Sequence, residues 1–229
     1  MKISIVIPAY GSVKLLDECL ASLHRNTDLS DVEIIVVCNG TDNISPQIVM
    51  NNNHRLVWCR EPVGFTKAAN MGFKLATAPI TLIMNTDTQV LDYWPKDLWL
   101  NFLLRPFEDE SVGLVGLGTM KSEWGEYFPF FFTAIRTKLF EEIGYLDEDF
   151  SPGYAEDLDF TIRTRNKGYK LVSVDQGTND HERKMVVASY PIFHKGEQSF
   201  TDKEVRQRCL ENAHEVLKRK WGVGSPLLP

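Results

Sequence analysis

Apolar strand-like runs that alternate with helical patterns constrain the fold of this chain more than any other feature. Residues 3–7, 33–38 and 80–84 are largely apolar over the length of a strand, and a shorter run covers 56–59. Nearly continuous apolar strands are typical of parallel sheets that helices cover on both faces. Helical patterns separate these runs, so strand and helix alternate three times. The alternation predicts an α/β fold with a mostly parallel sheet and right-handed crossovers.

Polar residues follow these runs where the strands are predicted to end. Asn39 and Asp42 lie just after the second run, and Asn85 and Asp87 follow residues 80–84. The carboxyl ends of parallel strands form the edge where open α/β sheets bind ligands. Asp87 beside the amide of Asn85 suits Mg²⁺ or Mn²⁺, which prefer oxygen ligands. A helix cap or turn aspartate is the commoner role for such a residue, and this stretch alone does not exclude it.

Composition excludes several classes of function. The 229 residues suffice for one large domain, and no apolar stretch reaches the length of a membrane span. A net charge of −6 without a long basic cluster argues against nucleic acid as a partner. The four cysteines show no CxxC pattern, and the N-terminus does not match a signal peptide. We therefore expect free thiols and a cytoplasmic protein, with peripheral attachment to the inner face of the membrane as an open alternative.

Aromatic residues dominate the second half of the chain. Most rings in the stretch 124–132 are expected in the core, with Trp124 as the candidate platform for a sugar acceptor. A helix is also predicted over 94–104. Its predicted buried residues are Trp94, Leu98, Phe102 and, as an alternative, Trp99.

Capping signals predict where three helices begin. Ser12 precedes the first helical pattern, and Ser45 followed by proline is typical of an N-cap. Thr201 and Glu204 form a capping box ahead of an amphipathic pattern that reaches Trp221. This C-terminal helix is predicted to pack on the sheet or on a partner, and it is a candidate homodimer surface.

Taken together, six ordered blocks resemble the inverting glycosyltransferases of family 2, and the rhamnosyltransferase-like members most closely. The resemblance covers roughly the first 200 residues, and it depends on the order and spacing of the blocks rather than on one motif. It implies a GT-A fold, with a Rossmann-like, mostly parallel central sheet and a small antiparallel part in the second half. The blocks are 5–10, 36–40, 64–72, 85–87, 144–150 and 156–169.

The resemblance implies a donor site for a nucleotide-diphosphate sugar at the strand ends. The first two strand ends would cradle the base and ribose, and the helix after residue 65 would face the diphosphate, because helix N-termini and lysines favour anions. For Lys67, a solvated surface position fits equally well. The predicted donor-binding residues are Pro8, Ala9, Tyr10, Asn39, Asp42, Lys67, Asn70, Asn85 and Thr86.

The resemblance also places the catalytic base in the acidic stretch. Asp157 is the predicted base on the acceptor hydroxyl, because displacement with inversion needs a base and no enzyme nucleophile. Glu156, Asp157 and Asp159 crowd at a predicted helix start, which should raise the pKa of at least one of them. Acids that serve the helix dipole are the ordinary alternative. For Asp159 the alternatives are to orient a loop or to hold Arg163, one turn further on.

A metal site is implied at Asp87, where Mn²⁺ or Mg²⁺ would bridge the phosphates of the donor. A histidine often completes this site in the family, and two histidines compete for the role. His194 matches the local motif, with glycine and then serine-phenylalanine after it, whereas His181 matches the usual spacing. We favour His194 and treat 179–189 as an inserted loop. The other histidines, His24, His54 and His214, are expected to be structural.

Two positions depart from the family pattern. Cys38 stands where many relatives carry an aspartate that contacts the base, so base recognition would pass to Asn39 or Asp42, or be looser. Asn85 replaces the first acid of the usual DxD. Its amide is still an oxygen donor, but it weakens the metal site electrostatically. Related rhamnosyltransferase-like members share this substitution, so it does not indicate loss of activity.

These features predict one domain over 1–229 that transfers a hexose or rhamnose from a UDP-, dTDP- or GDP-sugar to a glycan or glycolipid. Residues 1–90 would bind the nucleotide, 91–200 the acceptor, and 201–229 would form the C-terminal helix. A catalytically silent module that binds a nucleotide sugar or glycan is the alternative, against which Asp87 and Asp157 argue. The glycine-rich loops of pyrophosphorylases and dinucleotide-binding dehydrogenases are absent after the first strand.

Overall fold

A central β-sheet organises the computed structural model, which describes residues 2–40, 44–52, 54–175, 190–196 and 202–222. The strands are β1 Ile3–Ala9, β2 Val32–Asn39, β3 Arg55–Cys59, β4 Ile80–Met84, β5 Thr88–Val90, β6 Val112–Leu117, β7 Met120–Ser122, β8 Gly125–Tyr127, β9 Phe132–Arg136, β10 Lys170–Asp175 and β11 Ile192–His194. The helices are α1 Val13–Asn26, α2 Ile44–Asn51, α3 Phe65–Phe73, α4 Leu98–Leu104, α5 Leu139–Ile143, α6 Glu156–Asn166 and α7 Lys203–Trp221.

The strand order confirms the predicted α/β sheet. Over the described residues the central sheet runs β10-β6-β9-β4-β1-β2-β3. Strand β9 pairs antiparallel with both β4 and β6, and the other neighbours are parallel. Two small antiparallel pairs, β5 with β11 and β7 with β8, stand beside it. The sheet is therefore mostly parallel, with its antiparallel part in the second half of the chain.

Helices cover both faces of the sheet, as buried parallel strands require. Side chains of α1 and α4 pack on one face, and side chains of α3, α5 and α6 pack on the other. Every residue of β1, β4 and β6 is buried. All four cysteines are free thiols, as predicted. Within the described part of the chain, no helix is both long and apolar enough to cross a membrane.

The predicted helix starts are correct in one case and shifted in two. Ser12 caps α1, and its hydroxyl accepts a hydrogen bond from the Leu15 N–H at 3.3 Å. Helix α2 already includes Ser45, so the N-cap prediction there was wrong. Asp202 caps α7 by accepting from two backbone N–H groups, while Thr201 of the predicted capping box lies outside the described residues.

Helix α4 buries a different face from the predicted one. It begins at Leu98, and Phe102 is 45% exposed while Trp99 is buried. The Trp99 indole N–H donates to the Asn26 carbonyl and the Thr27 hydroxyl, so contacts with the end of α1 set the rotation of the helix. The apolar spacing alone did not distinguish Trp99 from its neighbours.

Helix α7 packs on α6 and on the β7–β8 hairpin rather than on the central sheet. Its Ala213, Val216 and Leu217 form a third apolar cluster with Leu158 and Ile162 of α6. Trp124, from the turn of the hairpin, belongs to the same cluster and is 4% exposed. The apolar face of α7 is thus buried within the chain itself.

The close packing of Phe128 against Gly116 of β6 can be tested directly. A methyl group on Gly116 of β6 would lie 2.6 Å from Cδ1 of the buried Phe128 ring. Because overpacking a core costs about 1–3 kcal/mol, we expect Gly116→Ala to lower the free energy of unfolding by that amount. Chemical denaturation measures the change. Phe128→Leu provides the control, since Gly116→Ala should cost less in that background, and additive costs would contradict the packing explanation.

Candidate active site

The carboxyl ends of β1, β2 and β4 lie side by side at one edge of the sheet. Strand β1 pairs with both β2 and β4, with Ala9 in register with Cys38. Pro8 and Ala9 are buried inside β1, so of the predicted residues here only Tyr10, which is 48% exposed, presents its side chain to solvent. Cys38 is fully buried in the core. This edge therefore offers an exposed phenol ring beside strand-end backbone.

Asn39, which ends β2, is used by the protein itself. It is 3% exposed, and its side-chain oxygen accepts a hydrogen bond from the Val63 N–H at 2.7 Å. Gly40 follows with a φ of +67°, and a Cβ there would lie 2.6 Å from Pro62. The end of β2 is thus joined closely to the segment that leads into α3. Asp42 lies outside the described residues.

Asp87 and His194 meet where β4 passes into β5. Strand β11 pairs with β5 and puts His194 in register with Thr88. The His194 Nε2 lies 3.3 Å from the Asp87 Oδ1, and the carboxylate is buried. The imidazole stacks on the Phe131 ring with 4.0 Å between centroids. The structure therefore brings together the two residues predicted for the metal site, whereas His181 and the 179–189 segment lie outside the described residues.

The donor groups at this position fit a divalent cation. A carboxylate and an imidazole lie within contact distance, and the side-chain oxygen of Asn85 is buried without a hydrogen-bond partner among the described residues. Buried polar atoms normally have a partner, so this oxygen is available to a ligand. The described part of the chain holds no cluster of three or more His, Cys, Asp or Glu side chains. Water and a bound ligand would complete the coordination, as is usual for Mg²⁺.

The Cys19 thiol lies close beneath the same site. Its Sγ donates to the Asn85 carbonyl oxygen at 3.8 Å. Burial, and then the charge of Asp87, raise the pKa of Cys19 above its ordinary range. The thiol therefore stays protonated, and it adds no second negative charge next to Asp87.

Two predicted donor residues on α3 have different environments. Lys67 is exposed and forms no ion pair with a described residue. Asn70 is 2% exposed, and its amide is fully used: Nδ2 donates to the Leu146 carbonyl at 2.9 Å and to Glu148, and Oδ1 accepts from the Leu146 N–H. The geometry therefore corrects the prediction for Asn70, which joins α3 to the 146–148 segment instead of facing a donor.

Helix α6 begins with the acidic residues, after two residues with left-handed backbone. Tyr154 and Ala155 have φ values of 79° and 67°. Asp157 is half-buried, and its carboxylate accepts from the Leu158 N–H at 2.8 Å and from the Phe130 N–H at 3.4 Å. Glu156 is buried, and its Oε2 has no hydrogen-bond partner among the described residues.

The acidic pair has the raised pKa values expected of reactive carboxyls. Burial raises the pKa of Asp157, and burial together with the Asp157 charge raises the pKa of Glu156 further. Desolvation is thus the larger cause, and the predicted crowding is the smaller one. Asp159 differs, because its fully buried carboxylate accepts from the Arg163 Nε at 2.9 Å, which confirms the predicted pairing.

Tyr127 is the aromatic residue beside these acids, and Trp124 is not. The Trp124 indole N–H donates to the Gly222 carbonyl at 2.8 Å inside the cluster under α7, so its proposed platform role was wrong. Tyr127 is half-buried on β8, and burial followed by the charges of Asp157 and Glu156 raises its pKa. The sequence showed only an aromatic run, without a signal for which ring faces the acids.

Residues 130 and 131 connect the acidic pair to the segment that carries Asn85 and Asp87 through consecutive backbone groups. The Phe130 N–H donates to Asp157, and the Phe131 carbonyl accepts from the Asn85 N–H at 2.8 Å. The Phe131 ring is the one that stacks on His194. Asp157 therefore lies on the same side of the molecule as the Asp87–His194 pair, two residues of backbone away.

The remaining histidines lie in other surroundings, as expected. His24 and His54 contact each other with 3.0 Å between their Nε2 atoms. Burial, with His24 adding to it, lowers the pKa of His54 to about 4, so that ring is neutral at neutral pH. His214 lies 3.6 Å from Glu123 and packs against Trp124.

Comparison with known proteins identifies one family. The model described as glycosyl transferase family 2 matches residues 4–150. A validoxylamine A glucosyltransferase of Streptomyces hygroscopicus is 33% identical over 90 residues, 37% of this chain and 21% of that protein. The uncharacterized glycosyltransferase EpsJ of Bacillus subtilis is 31% identical over 123 residues, 52% of this chain. That match spans 34% of EpsJ, so the chain matches only about a fifth to a third of these relatives.

Solved structures share the fold. The mannosyltransferase PcManGT from Pyrobaculum calidifontis, in complex with GDP-Man and Mn²⁺, has a TM-score of 0.62 and 21% identity, covering 75% of this chain and 54% of that one. Glucosyl-3-phosphoglycerate synthase from Mycobacterium tuberculosis, with Mn²⁺, UDP and glucosyl-3-phosphoglycerate, has a TM-score of 0.67 and 16% identity. That match covers 97% of this chain and 80% of the synthase.

The cation site predicts a specific pattern of Mn²⁺ binding. Asp87→Asn removes the negative charge and His194→Gln removes the imidazole nitrogen, so we expect each to weaken Mn²⁺ binding by about tenfold or more, the loss of about 1.4 kcal/mol or more. Electron paramagnetic resonance of free Mn²⁺ during a titration measures the affinity. His214→Gln is the matched control, because that histidine lies at another part of the molecule. Equal Mn²⁺ affinity in all four proteins would show that the pair is not a cation site.

Proposed function

The chain belongs to glycosyltransferase family 2, and from this premise we propose that it transfers a sugar from a nucleotide-diphosphate sugar to a hydroxyl group of a glycan or glycolipid. One observation carries the proposal: residues 130 and 131 contact the base candidate Asp157 on one side and the Asp87–His194 pair on the other. A base for the acceptor and a cation site for the diphosphate are the two groups that such a transfer needs, and here they are neighbours.

We assign the donor to the edge formed by β1, β2 and β4. The exposed ring of Tyr10 would lie against the base, and the exposed ammonium of Lys67 near the start of α3 would face the diphosphate. Two structures with the same fold are complexes with GDP-Man and with UDP, which supports a nucleotide-diphosphate sugar as the donor. Cys38 is buried, so base recognition would fall to neighbouring groups.

Asp87 and His194, with Asn85 beside them, would hold Mn²⁺ or Mg²⁺. When bound, the ion supplies Lewis-acid neutralisation of the diphosphate. His194 would contribute an imidazole nitrogen, and its ring stacks on Phe131. Thr86, which is 9% exposed, lies between Asn85 and Asp87 in the turn from β4 to β5.

Asp157 would act as the general base. It accepts the proton of the acceptor hydroxyl while the acceptor oxygen bonds to the anomeric carbon and the bond from that carbon to the diphosphate oxygen breaks. The nucleoside diphosphate leaves with that electron pair, and the anomeric centre inverts because a single displacement occurs. The raised pKa of Asp157 moves the base closer to neutral pH, where general bases are most effective.

Glu156 would remain protonated beside the base. Its burial and the adjacent Asp157 charge raise its pKa, so the neutral acid is favoured. The single negative charge of the pair would then lie on Asp157. Its carboxylate would therefore be available to accept the proton of the acceptor hydroxyl. The half-buried Tyr127 ring, whose pKa the charges of these two acids help to raise, would contact the acceptor.

A donor panel tests the proposed function. UDP-, GDP- and dTDP-sugars are titrated calorimetrically with and without Mn²⁺ against the wild type and Asp87→Ala. Mn²⁺-dependent binding of one donor, lost in Asp87→Ala, supports a transferase. Binding without transfer to any acceptor or to water supports the silent binding module instead, and a folded protein that binds no donor overturns the donor site.

The two neighbouring carboxyls should respond differently when each is replaced by an amide. We expect Asp157→Asn to lower kcat by about 10²–10⁴-fold, because it removes the general base. Glu156→Gln should retain most of the activity, since an amide resembles the protonated acid that it replaces. Steady-state kinetics of sugar transfer or donor hydrolysis measures both. The assignment would be reversed if Glu156→Gln were the inactive variant.

The pH dependence follows from the raised pKa of Asp157. The base acts only when ionised, so kcat/KM rises with pH through that pKa. Because burial raises it above the ordinary value of about 4, the acidic limb should lie above the range of a free aspartate. Rates measured across the acidic to neutral range at saturating Mn²⁺ locate the limb. The residual rate of Asp157→Asn should lack it, whereas a limb caused by His194 would persist in that variant.

A further inference from the structure

Asp159 anchors the helix that carries the base. It is two residues from Asp157, its side chain is fully buried, and both carboxylate oxygens are used. Oδ2 accepts from the Arg163 Nε at 2.9 Å, and Oδ1 accepts from the Lys220 Nζ at 2.8 Å and the Trp221 indole N–H at 3.0 Å. A buried carboxylate is stable only with such partners. The end of α7 therefore binds directly to the first turns of α6.

Lys220 joins a second segment to the same point. Its Nζ also donates to the Asp147 Oδ2 at 2.6 Å, just before the short 3₁₀ turn Glu148–Phe150. Burial opposes ionisation of Asp147, but the hydrogen bonds from Lys220 and the Asp149 N–H lower its pKa overall. The Nζ lies 5.6 Å from the centroid of the buried Phe150 ring. One partly buried ammonium thus bridges the 147–150 segment and α6.

The backbone between these two anchored points is unusual. Tyr154 and Ala155 both have left-handed φ values, which cost of order 1–3 kcal/mol each in residues other than glycine. Such conformations persist only where the surrounding structure holds them. The segment enters α6 immediately before Asp157, so its conformation sets the direction in which that carboxylate points.

We propose that Lys220 is a positioning residue, which holds the start of α6 so that Asp157 faces the acceptor. The inference rests on the proposed function, because it assigns Lys220 a task toward the base named there. Lys220 touches no substrate in this assignment, and it acts through Asp159 and Asp147. The adjacent Arg219 does not reach α6 in this way. It pairs with Asp149 at the surface, where both side chains are more than 60% exposed. Exposed pairs of that kind contribute little.

Three variants separate positioning from general stability. Lys220→Met keeps an unbranched side chain of similar length and removes the charge. Lys220→Arg restores a cation, and Arg219→Gln is the matched control. The assay is Mn²⁺-dependent hydrolysis of the donor found by calorimetry, with water as the acceptor. A displacement of about 1 Å at a reacting group costs about 10²-fold, so we expect that loss in kcat for Lys220→Met.

The expected pattern has four parts. Lys220→Met loses kcat while its donor Kd stays within about twofold of the wild type, Lys220→Arg recovers most of the rate, and Arg219→Gln matches the wild type. Amide hydrogen exchange should quicken over residues 154–160 in Lys220→Met and stay unchanged in α3. Unchanged kcat, or a parallel loss of kcat and donor affinity, would overturn the proposal.

Hydrogen exchange also separates this inference from the proposed function. If the wild type binds no donor, the proposed function fails, while quicker exchange confined to 154–160 still supports Lys220 as the residue that holds this segment. Unchanged exchange there overturns the proposal whatever the activity. Should Lys220→Met fail to fold, Lys220→Gln, which keeps one hydrogen-bond donor, replaces it under the same criteria.

Discussion

The site depends on the antiparallel pairing of β9 with β4, and on its continuation beyond the end of both strands. Met84 is in register with Phe132, and the next hydrogen bond joins the Asn85 N–H to the Phe131 carbonyl. This pairing carries residues 130 and 131 across the end of β4. One of them then donates to Asp157, and the other stacks on His194. A strand inserted from the second half of the chain thus connects groups that belong to different elements.

Three neighbouring carboxyl groups at the start of α6 differ in their burial and in their hydrogen bonds. Asp159 is fully buried and has partners on both oxygens, which is what a permanent charge in the interior requires. Glu156 is buried with one oxygen unpartnered, so the protonated form is favoured. Asp157 has two backbone donors and is only half-buried. Within four residues of sequence, three carboxyl groups therefore differ in their hydrogen bonds and in their exposure to solvent.

Helix α3 and the segment that leads into α6 are also joined away from the strand ends. Asn70 of α3 binds the backbone of Leu146, and the Phe65 N–H at the start of α3 donates to the Pro152 carbonyl at 2.6 Å. The segment from 146 to 152 continues into α6, and α7 holds its far side through Lys220. Helix α3, this segment, α6 and α7 are therefore held together by hydrogen bonds and ion pairs between elements that are distant in the sequence.

The sequence by itself determined the strands β1 to β4, the helices between them and the Ser12 cap, and it gave the pairing of Asp159 with Arg163 as one of two alternatives. These features depend on the spacing of apolar residues and on contacts between residues that are close in the sequence. The order of six blocks indicated the family, which the family match over 4–150 confirmed. The same order indicated Asp87, Asp157 and His194 as site residues, and their roles stay predictions.

Only the tertiary structure decided which polar side chains form hydrogen bonds within the protein and which are left for a ligand. Asn70 and Trp124 carry suitable groups, yet backbone atoms far along the chain occupy them. His194 reaches Asp87 because β11 pairs with β5, and α4 rotates to bury Trp99 because α1 supplies acceptors. These outcomes depend on long-range pairing and burial. Local periodicity carries no information about long-range pairing or burial. A polar group acquires its hydrogen-bond partner only when distant segments of the chain pack together.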